Sequence, residues 1–230
     1  MIVSIMQPAY IPWLGYFDRI ARSDVHVVLN DVTMDMNSKT KFTNRNKIRT
    51  QKGWAWLTVP VKSFSQSSKV LINQIEIAPN NNWREKHLKT LHFNYHNSAY
   101  FSHYFTYFES FYEKKWVLLE PMLLDSTRFL LDKLQVNTPL ISSSELSVRS
   151  KKSNLILDIC RKINATCYLS GPFGRYYLDK EAFEKAGIEL QFHDYFHPTY
   201  EQSYDGFEPY MSLLDLLFNH GDNSLEILQS

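Results

Sequence analysis

The sequence predicts an α/β fold, a three-layer Rossmann-like domain with a mostly parallel sheet and an aromatic-rich helical insertion, and three observations predict it. Residues 2–29 alternate an apolar run, an amphipathic stretch and a second apolar run. The alternation resumes after Pro139 and continues to Phe192. Between the two, residues 82–136 carry aromatic and leucine side chains at helical spacing. Strand, helix and strand on both sides of a helical block give a sheet covered on both faces.

Ile2 to Met6 lack alternation, as expected of a strand buried on both faces. Pro12 stands at a natural first helical position, and Leu14, Phe17, Ile20 and Ala21 come after it at helical spacing. Val25 to Leu29 is again strand-like apart from His26, and a right-handed crossover should join the two strands. From Asn30 to Thr50 the chain is polar, setting Asp31 and Asp35 against Lys39, Lys41, Arg45, Lys47 and Arg49, and it reads as a long functional loop. Trp54 to Val61 and Val70 to Ile77 read as strands able to pair across the serine-rich KSFSQSSK.

Asn82 is placed to cap a helix from Trp83, with aromatic spacing continuing through Tyr95, Phe101, Phe108 and Tyr112. Pro121 is expected to break or kink the chain at that point, ahead of a helix carrying Leu123, Leu124, Leu130, Leu131 and Leu134. A short strand near Leu140, a helix capped by Ser153 and a strand at Cys167 to Leu169 come next. Gly187 ends another helix, Ile188 to Phe192 forms a strand, and Glu208-Pro209 opens a last helix running through Asn219. With no repeat or flexible linker, a single domain over residues 1–230 is expected, carrying the insertion at about 82–136.

A hydrophobic content of 44% over 230 residues suffices for a sizeable core. The 25 basic and 24 acidic side chains leave a net charge of +1, so no global field would hold nucleic acid or an anionic membrane, and any basic site is local. The opening MIVSIMQPAY has no basic n-region, and Gln7 and Pro8 interrupt its apolar run, which points to a cytoplasmic protein without a membrane span. Cys160 and Cys167 fall on a helix and a buried strand and read as reduced core thiols.

In open parallel sheets ligands bind at the carboxyl ends of strands, and three segments are candidates. The first is the turn after Met6, where Gln7, Tyr10 and Trp13 offer contacts to a base or sugar, Gly15 allows close approach, and the helix N-terminus presents free N–H groups. Trp13 and Tyr16 occupy places where a nucleotidyl-transfer turn has histidines, which argues against that chemistry. The second is Phe42 to Arg49, whose Asn44, Arg45, Asn46 and Lys47 alternate amides and cations suited to phosphate or carboxylate, with Arg45 able to grip in a bidentate manner. The third gathers Ser170, Gly171 and Tyr177 with His193 and Asp194, where a strand-end histidine beside an acid can serve as a general base. His87, Asp31, Asp205 and Asp215 are further titratable candidates. No zinc-spaced histidine pair, P-loop, GxGxxG or GxSxG occurs, so the sequence carries no metal or nicotinamide signature and names no cofactor.

The opening QPAYIPWLGYFDRIARSDVHVVLNDV, the FTNRNKIRT and WLTVPV segments, SGPFGRYYLD, AGIEL and the closing PTYEQSYDGFEPYMSLLDLLFNHG together resemble the WbqC-like family over essentially the whole chain. The resemblance implies a bacterial protein of O-antigen or related lipopolysaccharide and surface-glycan biosynthesis, and it supplies no catalytic mechanism. The function this suggests is a transferase attaching an acyl or aminoacyl group to an amino sugar on a nucleotide-linked carrier. Its small-molecule partners would be a nucleotide-linked sugar and an acyl donor. Under that reading Asn44, Arg45 and Lys47 hold phosphates, Gln7, Tyr10 and Trp13 hold the base or sugar, and His193 or Asp194 assists proton transfer. The alternatives are an ATP-dependent carboxylate-activating enzyme and a non-catalytic sugar-nucleotide binding or assembly protein.

Overall fold

A computed structural model describes residues 1–34, 42–64, 70–79 and 82–230. Asp35, Lys39 and Lys41, and most of the serine-rich stretch, lie outside those residues. Strands β1 (Ile2–Met6) and β2 (Val25–Val28) lie side by side in parallel, with Val3 opposite Val25 and Met6 opposite Val28. Helix α1 (Leu14–Ala21) connects them and begins two residues after Pro12 because Trp13 is still extended. Strands β3 (Arg45–Thr50) and β4 (Gly53–Thr58) form an antiparallel hairpin. Helices α2 (Trp83–Tyr95), α3 (Phe101–Glu113) and α4 (Leu119–Lys133) come next as the insertion.

The chain then returns to the sheet through β5 (Leu140–Ser142), α5 (Lys152–Lys162), β6 (Cys167–Ser170), α6 (Lys180–Lys185) and β7 (Glu189–Phe192). It ends in α7 (Leu213–His220) and α8 (Ser224–Gln229). The five-stranded sheet has the order β5-β2-β1-β6-β7, every pairing parallel, so the order reverses between β1 and β6. Val3, Ile5 and Val27 pack with α5 and α6 in one core. A larger core joins α1, the hairpin, the insertion and α7, with Phe108, Phe111 and Phe218 fully enclosed. Stacked pairs such as Phe101 with Phe105, 4.4 Å between centroids, add about 0.5–1.5 kcal/mol each beyond burial.

Several local expectations are corrected. The polar segment Arg45–Thr50 is a strand, because Asn46 and Ile48 face inward while Arg45 and Lys47 face outward. The period-2 pattern is hidden by an asparagine in a buried position, where its amide donates to Ile11 O at 2.7 Å. The partner of β4 is therefore β3, and the 70–77 segment makes a 3₁₀ turn at Ile72–Gln74 with isolated antiparallel bridges from Leu71 to Thr33, Glu76 to Leu118 and Ile77 to Val61. Pro121 is the third residue of α4 and does not break it, since in the first turn its missing N–H leaves no helical bond unmade. Ser153 does not cap α5; its hydroxyl accepts from Asp179 N at 2.8 Å and ties α5 to the start of α6. The helix expected from Glu208 is α7, which starts only at Leu213, capped by Ser212, because Glu208 N donates to Gln202 Oε1 and Tyr210 adopts a positive φ of 62°; a further helix, α8, follows it. Cys160 and Cys167 are free buried thiols, and burial pushes Cys160 up to about 12.

Two histidines are buried neutral. His26 shares a 2.9 Å hydrogen bond with Ser4 Oγ, and burial, then repulsion from the Arg19 cation, pushes its pKa down to about 3. His87 shares a hydrogen bond with the Tyr10 hydroxyl at 2.9 Å, and burial pushes it down to about 4. The unfolded chain takes up these protons near the ordinary value of 6.5 and the folded chain does not. Their contribution to stability is therefore complete above pH 6.5 and is lost as pH falls toward 4, by about 1.4 kcal/mol per pH unit for each histidine. Urea unfolding over this range should give a slope shallower by about one proton in His26→Gln than in the parent; equal slopes would show that His26 does not titrate on unfolding.

Candidate functional site

The reversal of strand order places the carboxyl ends of β1 and β6 beside one another, at Gln7 and Gly171. The turn after β1 is shaped by Pro8 and Pro12 and by Ile11, a β-branched residue at φ 42°. That backbone is costly for isoleucine, and Asn46 braces it through the Ile11 carbonyl while Tyr10 N donates to Phe42 O at 3.0 Å. The hairpin thus holds the turn open, leaving a cleft of about 200 Å³ lined by Gln7, Trp13, Tyr16, Arg19, Phe42 and Thr43, among others. Among the described residues, Arg19 is the one charged side chain in that lining.

On the other side of α1 a groove of about 440 Å³ is lined by Asp18, Arg22, His193 and Tyr195. Asp18 is 1% exposed, and its Oδ2 accepts from His193 Nε2 at 2.5 Å and from Arg22 Nε at 2.7 Å. Burial alone would raise this carboxyl, but the hydrogen bonds from His193 and Arg22 outweigh it and hold Asp18 below its ordinary value. A carboxylate only accepts, so His193 carries its proton on Nε2 and, when neutral, presents an unprotonated Nδ1. The ring is set by the backbone bond from His193 N to Ser170 O and by Tyr195, 5.6 Å away in a stacked arrangement. Tyr195 also meets Trp13 edge-on at 5.5 Å, so these two rings form a wall between groove and cleft.

The candidates from the sequence divide by where their side chains lie. Gln7 and Trp13 line the cleft. Gly171 lies against the Arg19 guanidinium, Ser170 is buried just before it, and Tyr177 is half exposed and close enough to Arg19 to feel its charge. Tyr10, Asn44 and Asn46 turn inward: Tyr10 bonds His87 and Tyr112, and the Asn44 and Asn46 amides donate to Val59 O and Ile11 O. Gly15 serves close packing, since a Cβ there would stand 2.4 Å from the Trp13 ring and 2.8 Å from Tyr195. Arg45 and Lys47 lie on the outer face of the hairpin, each 4.2 Å over an indole, Trp56 and Trp54 respectively. Phe42 connects that face to the cleft, its ring 6.0 Å from Trp56.

Asp194 is occupied by Arg175, which donates to both carboxylate oxygens and keeps the carboxyl below its ordinary value. The acid that meets His193 is therefore Asp18, 175 positions away in sequence, and not the adjacent Asp194. Asp18 and Arg19 were not legible as site residues, because charges on an amphipathic helix ordinarily read as its solvated face. Among the described residues no group of three or more His, Cys, Asp or Glu is placed to hold a metal ion. No helix among them is long and apolar enough to cross a membrane.

The family model for the WbqC-like protein family matches residues 7–227, nearly the whole chain. The chain belongs to the WbqC-like protein family. It is similar to the protein of Mycobacterium tuberculosis (strain ATCC 25618 / H37Rv) named Uncharacterized protein Rv1507c, with 32% identity over 232 residues, 99% of this chain and 97% of that protein. No solved structure matches the chain. The family match begins at Gln7, the first residue of the cleft turn, and takes in α1, the hairpin and the groove strand β7.

Proposed function

We propose that the protein is a transferase of surface-glycan biosynthesis that attaches an acyl or aminoacyl group to an amino sugar carried on a nucleotide. The observation that carries this reading is the division of labour across the Trp13–Tyr195 wall, with an aromatic cleft holding one cation on one side and an oriented imidazole on the other. The cleft and the Phe42–Trp56 face suit an anionic, ring-containing carrier. In the groove, the amine nitrogen of the sugar attacks the carbonyl carbon of an activated acyl donor, a thioester or acyl adenylate. The N–C bond forms as the bond from that carbon to the leaving group breaks. His193 Nδ1 takes the amine proton and passes it to the leaving group.

The carboxylate-activating alternative would seat a triphosphate at the start of α1. The Trp13 indole covers that turn at Gly15, which weighs against it. Incubating the protein with nucleotide-linked amino sugars, acyl thioesters, amino acids and ATP, with products read by mass spectrometry, tests the reading. The expected result is a nucleotide-linked sugar heavier by the acyl group. Release of AMP and pyrophosphate without transfer would favour carboxylate activation, and tight binding with no product would leave a binding protein.

A further inference from the structure

We propose that Arg19, laid against Gly171 at the reversal of strand order, is a built binding site for a diphosphate. The inference rests on the nucleotide-linked carrier of the proposed transfer reaction and names the residue that takes its anionic part.

Arg19 projects from α1 to the carboxyl end of β6. A Cβ built on Gly171 would lie 2.6 Å from Arg19 Nη1, 3.3 Å from Cζ and 3.5 Å from Nη2, so the guanidinium spreads over that residue's bare backbone. Gly171 has φ −69° and ψ 165°, which any residue adopts, so the position calls for glycine through space and not through conformation. A side chain there would push the guanidinium away.

The guanidinium has no carboxylate partner and makes no side-chain hydrogen bond among the described residues, and its buried Nε is unpartnered. A largely buried cation left in that state is unfavourable unless something outside the chain completes it. The groups that face it are polar but neutral: Tyr16, Tyr168 and Tyr177, and His26, which is held uncharged beside it. Burial lowers the Arg19 pKa, yet a guanidinium stays protonated in proteins, so a fixed positive charge faces the cleft. Its planar fork matches the oxygens of a phosphate in bidentate fashion. A cleft of about 200 Å³ is smaller than the ~300–1,000 Å³ of a pocket for a whole drug-sized ligand, so it admits one part of the carrier. With Arg19 as the only charge that the described residues bring to the lining, that part is the diphosphate, while the rest continues over Phe42 toward Trp56.

The test is calorimetric titration of the full chain with inorganic pyrophosphate, UDP, ATP and uridine, alongside thermal unfolding. The variants are Arg19→Lys, Arg19→Met and Gly171→Ala. Pyrophosphate and UDP should bind the parent, and uridine should bind far more weakly. Loss of the charged contact should weaken UDP binding about ten- to a hundredfold in Arg19→Met. Arg19→Lys should fall between, since it keeps the charge and loses the fork. Gly171→Ala keeps the cation and displaces it, so it should also bind UDP more weakly while melting at nearly the parent temperature. ATP binding no tighter than UDP assigns the site to a diphosphate; a strong preference for ATP would overturn that assignment in favour of a triphosphate. Undiminished UDP affinity in a folded Arg19→Met protein, or no binding of either pyrophosphate or UDP by the parent at millimolar concentration, would overturn the proposal. Diphosphate binding through Arg19 without acyl transfer in the product assay would leave this site standing and remove the transferase reading. Acyl transfer with a KM unaffected by Arg19→Met would do the reverse.

Discussion

Asp215→Ala should lower stability by about 3–5 kcal/mol, the loss expected when the acceptor of a fully buried polar cluster is removed. Asp215 is 0% exposed on α7, and it accepts from Tyr95 OH at 2.9 Å, Tyr200 OH at 2.9 Å and Gln202 Nε2 at 2.7 Å. Burial raises its pKa, and the three donors together with the nearby Arg49 cation offset only part of that rise. Truncation strands three donors in a fully buried site, and it removes an anion whose charge Arg49 feels. Arg49 itself ties β3 to the 202–205 segment through Gln202 Oε1 and the Asp205 carbonyl, while its backbone N–H donates to the Tyr95 hydroxyl. At about 2–4 °C per kcal/mol for a chain of this size, the melting temperature should drop by roughly 10 °C. Asp215→Asn, which keeps the shape and one acceptor oxygen, should lose less. A melting temperature within a degree or so of the parent for Asp215→Ala would show that water replaces the carboxylate at no cost.

Where packing decides the structure, the sequence was readable. The uncharged runs at Ile2–Met6 and Val25–Val28 can only be satisfied inside a covered parallel sheet, and the pairing of Val3 with Val25 comes from their shared face. The aromatic spacing of residues 83–133 likewise has few resting places besides a helical cluster. Polar residues were less readable, because the same side chain can face water, brace a backbone or meet a ligand. Arg49, one of five cations in an expected loop, is 3% exposed and holds two parts of the chain together. Asn46, expected to contact substrate, supports the strained Ile11. Asp18 and Arg19 are neighbours on one helix, yet one faces β7 and the other β6, a division that exists only once α1 lies across the sheet. Their partners are more than 150 positions away, beyond the reach of any local pattern.

That division leads to the largest effect expected on turnover. On the proposed transfer reaction, His193→Gln should lower kcat by about a hundred- to ten-thousandfold, the range for loss of a general base. Glutamine can still donate to Asp18 Oδ2, so the tie between α1 and β7 is preserved in kind, but no side-chain group remains to take the amine proton. KM for the carrier should hardly move, because the cleft proposed to hold it lies beyond the Trp13–Tyr195 wall. In the proposed reaction Asp18 would act through His193 as a positioning residue. Asp18→Asn can donate to Nε2 and so favour the tautomer whose proton sits on Nδ1, the wrong nitrogen for a base. Its kcat should fall too, at low and high pH alike, because raising the pH does not change which nitrogen of a neutral imidazole holds the proton. If His193 instead serves merely to fasten β7 to α1, the outcome is the opposite. Melting temperature would then fall in both variants while kcat, measured on the folded fraction, stays at the parent value, and that result would remove His193 from the chemistry.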